Sequence, residues 1–222
     1  MTFTPELKKT LWIWLAVIAC LHVINRLSGA LPVWQTLFVL LNAALLMYTP
    51  LFVSARSRQK LAYLDWRWQN VWREGALLLG VCVVIFVPYA VGSHFYQSLL
   101  FGKSWQGLKL AGLGLYFFNQ VILVALPEEI FFRGFMEDAF TRAYPPQNKI
   151  LGAPFGKAML INGLVFAFSH SLITFQWWHF SIFFPSLLFS WLRQKTGTIW
   201  VAALFHAACN SVAWVIIRSY LA

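Results

Sequence analysis

The chain has 222 residues, 60% of them hydrophobic and only 11% charged, against roughly 45–50% and about 25% in an average soluble domain. So little charge cannot cover a water-facing surface. The composition therefore excludes a soluble globular protein, a disordered chain and a disulfide scaffold, and leaves an integral membrane protein. The net charge of +10 is spread between apolar segments and forms no patch, which excludes nucleic acid as a partner.

A membrane helix needs about 20 mostly apolar residues. In chain order the candidates are Leu11–Leu27, Leu31–Val53 (entered through Pro32), Gly75–Val91, and Leu110–Leu126 with its continuation past Pro127 to Ala143. Ala158–Ile173, Trp178–Leu192 and Thr198–Leu221 follow. The basic stretch Ser54–Arg73 and the Pro/Gly/Lys stretch Tyr144–Lys157 read as loops. There is no internal repeat. The expected fold is all-α, a polytopic transmembrane helical bundle of seven to eight membrane helices, forming one domain over residues 1–222. The three cysteines, Cys20, Cys82 and Cys209, lie in apolar runs without metal-ligand spacing and read as buried thiols.

Lys and Arg set the expected orientation. If Leu110–Ala143 is one crossing, one side holds Lys8, Lys9, Arg56, Arg58, Lys60, Arg67, Arg73, Arg142, Lys149, Lys157, Arg193 and Lys195. The other holds Arg26, Lys103, Lys109 and Arg218. That bias of 12 against 4 places the N-terminus in the cytoplasm. A separate crossing after Pro127 makes the count 8 against 8, so charge favours seven crossings.

The chain has seven acids. Four of them, Glu128, Glu129, Glu137 and Asp138, fall within eleven residues in an apolar setting. Ionisable groups inside a membrane are costly and mark a functional site by default. Glu129 and Arg133 are four apart on a helix and share a face, whereas Glu128 points about 100° away. Arg133 then neutralises Glu129 and leaves Glu128 to face a cavity, where a desolvated carboxylate suits general acid–base work.

Two histidine motifs follow. Phe166 and His170 share one helix face, as do His206 and Asn210. Each spacing alone fits a packing histidine or an Asn that joins helices. His22 and His94 read as packing residues, and Trp177–Trp178 beside His179 as an interfacial anchor. Asn162 falls on the stripe of Phe166 and His170 and is a cavity-lining candidate. Asn119 and Gln120 are either helix contacts or part of the pocket. Ser169 and Cys209 point about 100° away from the neighbouring histidines.

Taken together, EExxxR, FxxxH and HxxxN on three apolar helices in this order resemble the CAAX protease and bacteriocin-processing (CPBP, abortive-infection) family, which includes the type II CAAX prenyl endopeptidases. The matching residues are Glu128, Glu129 and Arg133; Phe166 and His170; and His206 and Asn210. The resemblance covers residues 110–222 as a catalytic core, while residues 1–109 form helices without a motif. It implies a glutamate-dependent intramembrane endopeptidase without a cofactor. Glu128 and His170 would activate water, His206 and Asn210 would stabilise the oxyanion, and Glu129, Arg133 and Phe166 would support the site. The same three residues, Glu128, His170 and His206, form an alternative zinc set. A proton-coupled transporter and a non-catalytic scaffold or immunity protein are competing classes. The implied substrate is a peptide or protein at the lipid bilayer, such as a precursor peptide or a C-terminal tail. The expected location is a prokaryotic cytoplasmic (inner) membrane.

Overall fold

The computed structural model describes residues 4–57, 62–65 and 68–221. Among these residues seven helices carry the fold: α1 Pro5–Ala30, α2 Gln35–Ser57, α3 Val71–Phe95, α4 Leu113–Ala143, α5 Lys157–Thr174, α6 Phe183–Thr196 and α7 Trp200–Arg218. Helices α1–α5 and α7, with the adjoining turns of α2 and α3, are long and apolar enough to cross a membrane. Helix α6 has 14 residues. The apolar segment that contains it begins as a 3-10 turn, Trp177–Ile182, so its regular helix starts later than the expected Trp178.

The ends of the helices follow from local chemistry. Thr4 caps α1 by accepting from Leu7 N at 3.2 Å, with Pro5 in the first turn, where its missing N–H costs nothing. Helices α5 and α6 end on left-handed residues, Phe175 and Gly197. Pro127 does not end α4. The helix widens into π-helical turns at Val121–Ala125 and Ile130–Met136 on either side of the proline, and such turns absorb a lost backbone bond. Helix α4 is therefore one continuous element of 31 residues, about 46 Å long, and the part after Pro127 does not cross separately.

Side-chain contacts fix which helix ends lie together. Arg142 at the end of α4 pairs with Glu6 at the start of α1 at 2.8 Å. Trp191 and Lys195 in α6 donate to the carbonyls of Ile150 and Leu151 in the α4–α5 connection. That connection is a small hairpin, β2 Asn148–Ile150 against β3 Ala153–Phe155. Ile199 N donates to Tyr63 O in the α2–α3 connection. This end carries the larger share of the basic residues, although Arg58, Lys60 and Arg67 lie outside the described residues. At the opposite end β1 (Ser104–Trp105) pairs antiparallel with β4 (Tyr220–Leu221), His94 Nδ1 meets the Tyr220 hydroxyl at 2.8 Å, and His22 Nδ1 meets Ile173 O at 3.0 Å. The packing role expected for His22 and His94 agrees with these bonds.

The bundle is apolar outside and polar within. Leu79, Val83, Val84, Val87 and Val91 of α3 are exposed, whereas Glu129, Arg133, Glu137, Asn162, Ser186 and Ser190 are fully buried. Lipid is the fitting solvent for such an exterior. Phe131, Phe132, Met136, Phe166, Phe189, Leu192 and Phe205 form the core among α4, α5, α6 and α7. One expectation is corrected. Cys20 is exposed on α1, and Cys82 and Cys209 are only partly buried. An apolar run places a thiol in lipid as readily as in the protein core.

Candidate active site

Glu128 and Glu129 sit at the middle of α4, between its two π-helical turns. The expected divergence of their side chains is observed. Glu129 is fully buried and its Oε1 lies 3.1 Å from Arg133 Nη1. Glu128 is turned to the wall of a cavity of about 150 Å³, which His170 also lines. His170 Nε2 lies 3.7 Å and His206 Nε2 3.9 Å from the same oxygen, Glu128 Oε2. Three helices, α4, α5 and α7, thus deliver three titratable groups to one point.

Hydrogen bonds at the far side of each ring set the tautomers. His170 Nδ1 lies 3.0 Å from Phe166 O. A carbonyl only accepts, so Nδ1 carries the proton and Nε2 of a neutral ring is an acceptor facing Glu128. His206 Nδ1 lies 3.0 Å from Glu129 Oε1, and the same logic applies. Glu128 Oε2 is buried and has no hydrogen-bond partner among the described residues. Acceptors facing one another at 3.7–3.9 Å are compatible when a water or a shared proton lies between them.

Phe166 is the hub of the supporting shell. Its ring lies against His170 and His206 at centroid distances of 4.5 and 6.1 Å. The Arg133 guanidinium sits over its other flank, 4.0 Å from the centroid. Arg133 also donates to the Ser186 hydroxyl at 2.8 Å, tying α4 to α6. His206 stacks on Phe189 at 4.5 Å. A guanidinium buried among aromatic faces and one carboxylate gains cation–π as well as ionic stabilisation.

Asn210 is placed differently from the other three. It lies one turn beyond His206 on α7, and its Nδ2 donates to Gln120 Oε1 at 2.8 Å. The structure gives it no contact with Glu128 or His170. Gln120, open between two readings in the sequence, joins α4 to α7, while Asn119 is exposed. Asn162 does not line the cavity. It is fully buried and donates to Glu137 Oε2 at 3.1 Å. Ser169 accepts from Trp14 Nε1 at 2.9 Å and donates to Val165 O, so it is no nucleophile for His170.

Sequence reasoning missed two features. Glu137 is fully buried and accepts from Asn162, Ser190 and Gln194, holding α4 to α5 and α6 through neutral donors. Asp138 pairs with Arg193. Both acids belonged to the noticed cluster, but their partners come from other helices. The second feature is Asn42 of α2, which lines the same cavity as Glu128 and His170. An Asn inside an apolar span was a readable signal.

The zinc alternative can be tested on donor type and spacing. Glu128 Oε2 and the two unprotonated Nε2 atoms are suitable donors, and His206 has a carboxylate behind it, as metal-bound histidines often do. The spacing is loose. Zinc bonds of 2.0–2.1 Å place tetrahedral ligands roughly 3.3 Å apart, against 3.7 and 3.9 Å here. Among the described residues no three His, Cys, Asp or Glu side chains are arranged to hold a metal ion.

A family model described as "Type II CAAX prenyl endopeptidase Rce1-like" matches residues 109–212. No curated protein and no solved structure matches the chain. The matched segment holds Glu128, Glu129, Arg133, Phe166, His170, His206 and Asn210 together, so over residues 109–212 this membrane protein is similar to the Rce1-like CAAX protease family.

Proposed function

We propose that the protein is a glutamate-dependent intramembrane endopeptidase. The observation that carries this reading is the convergence of Glu128 Oε2, His170 Nε2 and His206 Nε2 on one point beside a cavity. In the proposed reaction a water donates one hydrogen bond to Glu128 and the other to His170. Glu128 removes the first proton as the water oxygen bonds to the carbonyl carbon of the substrate. The carbonyl oxygen becomes an oxyanion. His206, once Nε2 has taken up a proton, holds it through Nε2–H while Nδ1–H stays on Glu129. The second N–H of the Asn210 amide, oriented by Gln120, is the further donor. Collapse breaks the C–N bond, and the leaving amine takes the proton held by Glu128. Donors aimed at the developing charge and a base within reach of the water are what amide hydrolysis requires.

The substrate in this reading is a membrane-associated peptide or protein. The charge bias and the shared basic end support an N-terminus on the cytoplasmic side. One observation favours a second reading. Both histidines present an unprotonated nitrogen to Glu128, the donor type that zinc takes; drawn closer together than the 3.7 and 3.9 Å seen here, the three side chains would hold a zinc ion, which would supply Lewis-acid activation of water.

The deciding experiment is terminal proteomics of a deletion strain complemented with wild type or Glu128→Ala. New termini that depend on wild type support the peptidase. Identical termini in the two strains refute it.

A further inference from the structure

We infer that Asn42, on a helix outside the family-matched segment, binds the peptide backbone of the substrate. The inference rests on the peptidase reading above.

Helix α2 brings Asn42 to the cavity that Glu128 and His170 line, beside Leu21 and Leu46. Among the described residues its Oδ1 is buried without a hydrogen-bond partner, and no bond from them holds its amide. Such a group is costly in the resting protein, and natural sequences keep costly groups at functional sites. The cavity is also unbalanced in its chemistry. Glu128 Oε2, the Nε2 of neutral His170 and Asn42 Oδ1 are acceptors, and against these three the wall offers the N–H groups of the Asn42 amide itself. Thr174, the remaining polar residue of the wall, directs its hydroxyl to His170 O at 2.9 Å. One water donates two hydrogen bonds, and in the reaction above Glu128 and His170 accept both. Asn42 Oδ1, buried in the cavity wall, then still needs a donor that the attacking water does not provide. A substrate peptide bears such a donor at every residue, its backbone N–H. The N-terminal helices would thus complete a site whose motifs all lie in the other half of the chain.

The experiment uses full-length protein in detergent as wild type, Glu128→Gln, Asn42→Leu and Asn42→Ser. The probe is a peptide spanning a cleavage site found by terminal proteomics, unmodified and with each backbone N–H methylated in turn. Asn42→Leu keeps the volume and removes the amide. Its kcat/KM should fall about tenfold, the scale of one hydrogen bond, and Asn42→Ser should recover part of the loss. One methylated position should cost the wild type the same factor yet cost Asn42→Leu nothing further, a coupling that a structural role does not produce. Asn42→Leu should also melt no lower than wild type, because it removes an unpaired buried polar group. Wild-type kcat/KM in Asn42→Leu, a lower melting temperature, or equal methylation losses in both proteins would each overturn the inference while leaving the peptidase reading intact. Cleavage by Glu128→Gln, or none by wild type, would overturn both.

Discussion

His206 and Glu129 are locked together: Nδ1 lies 3.0 Å from Oε1, the same oxygen that Arg133 approaches at 3.1 Å. Glu129 is thereby shared between a helix neighbour and a residue 77 positions away. That bond accompanies a ring orientation in which His206 Nε2 lies 3.9 Å from Glu128 Oε2. The two adjacent glutamates have divided the work. One is anchored to a cation and a donor, and the other lies 3.7 and 3.9 Å from the Nε2 atoms of His170 and His206.

Glu128→Gln should abolish cleavage while the protein inserts and purifies normally. The substitution keeps size and polarity but removes the base. Peptide cleavage and melting curves of the purified variant check this, and retained turnover would refute the glutamate mechanism.

Arg133→Ala should damage folding rather than chemistry alone. It leaves Glu129 buried with only His206 beside it, and it strips the guanidinium from Phe166 and Ser186. Breaking a buried pair by removing one partner costs roughly 3–5 kcal/mol. Yield and melting temperature should fall sharply, and Arg133→Lys should recover only part because it cannot reproduce the fork that reaches both Glu129 and Ser186.

Asn210→Ala should lower turnover by about 10²–10³, the usual effect of removing an oxyanion donor, with little change in substrate binding. Gln120→Leu should act in the same direction and more weakly, since it frees the Asn210 amide without deleting it. Separate kcat and KM values for the two variants are the measurement.

For metal dependence, the expected result is that active enzyme holds no stoichiometric zinc and that 1,10-phenanthroline does not inhibit it. Elemental mass spectrometry and a chelator titration decide this. One zinc per chain, with activity lost on chelation and restored by zinc, would make Glu128, His170 and His206 ligands.

Tyr63 gives a pH prediction outside the membrane-spanning helices. Burial pushes its hydroxyl up to about 12, with Asp138 adding to the effect and Arg193 opposing it. The unfolded value is about 10. The neutral form is therefore favoured by folding, and its stabilisation is complete below pH ~10 and lost as pH rises toward 12. Melting temperature should fall less steeply over that range in Tyr63→Phe than in wild type. Phe should cost little at neutral pH, because the hydroxyl has no hydrogen-bond partner among the described residues. Gly134→Ala is the contrast. Its Cβ would run into the Tyr63 ring, and overpacking of this kind costs about 1–3 kcal/mol.

The amino-acid sequence by itself determined what helical geometry and lipid transfer decide. Seven apolar segments became seven helices because each must satisfy its backbone internally in a bilayer. The Glu129–Arg133 pair and the divergence of Glu128 were legible because both lie within one helix, where spacing fixes the face. The effect of Pro127 was not legible. Whether a proline breaks or merely widens a helix depends on neighbours that hold the flanking turns, here through Arg133 and Glu137. Tertiary structure alone decided that His206 belongs to Glu129, Asn210 to Gln120, Asn162 to Glu137, and Asn42 to the cavity wall. The first three pairs join residues 25 to 90 positions apart, and Asn42 comes from a helix with no motif. Periodicity says which way a side chain leaves its own helix. Which residue it meets is set by the depth and rotation at which two helices pack, and that depends on the side chains of the whole bundle at once.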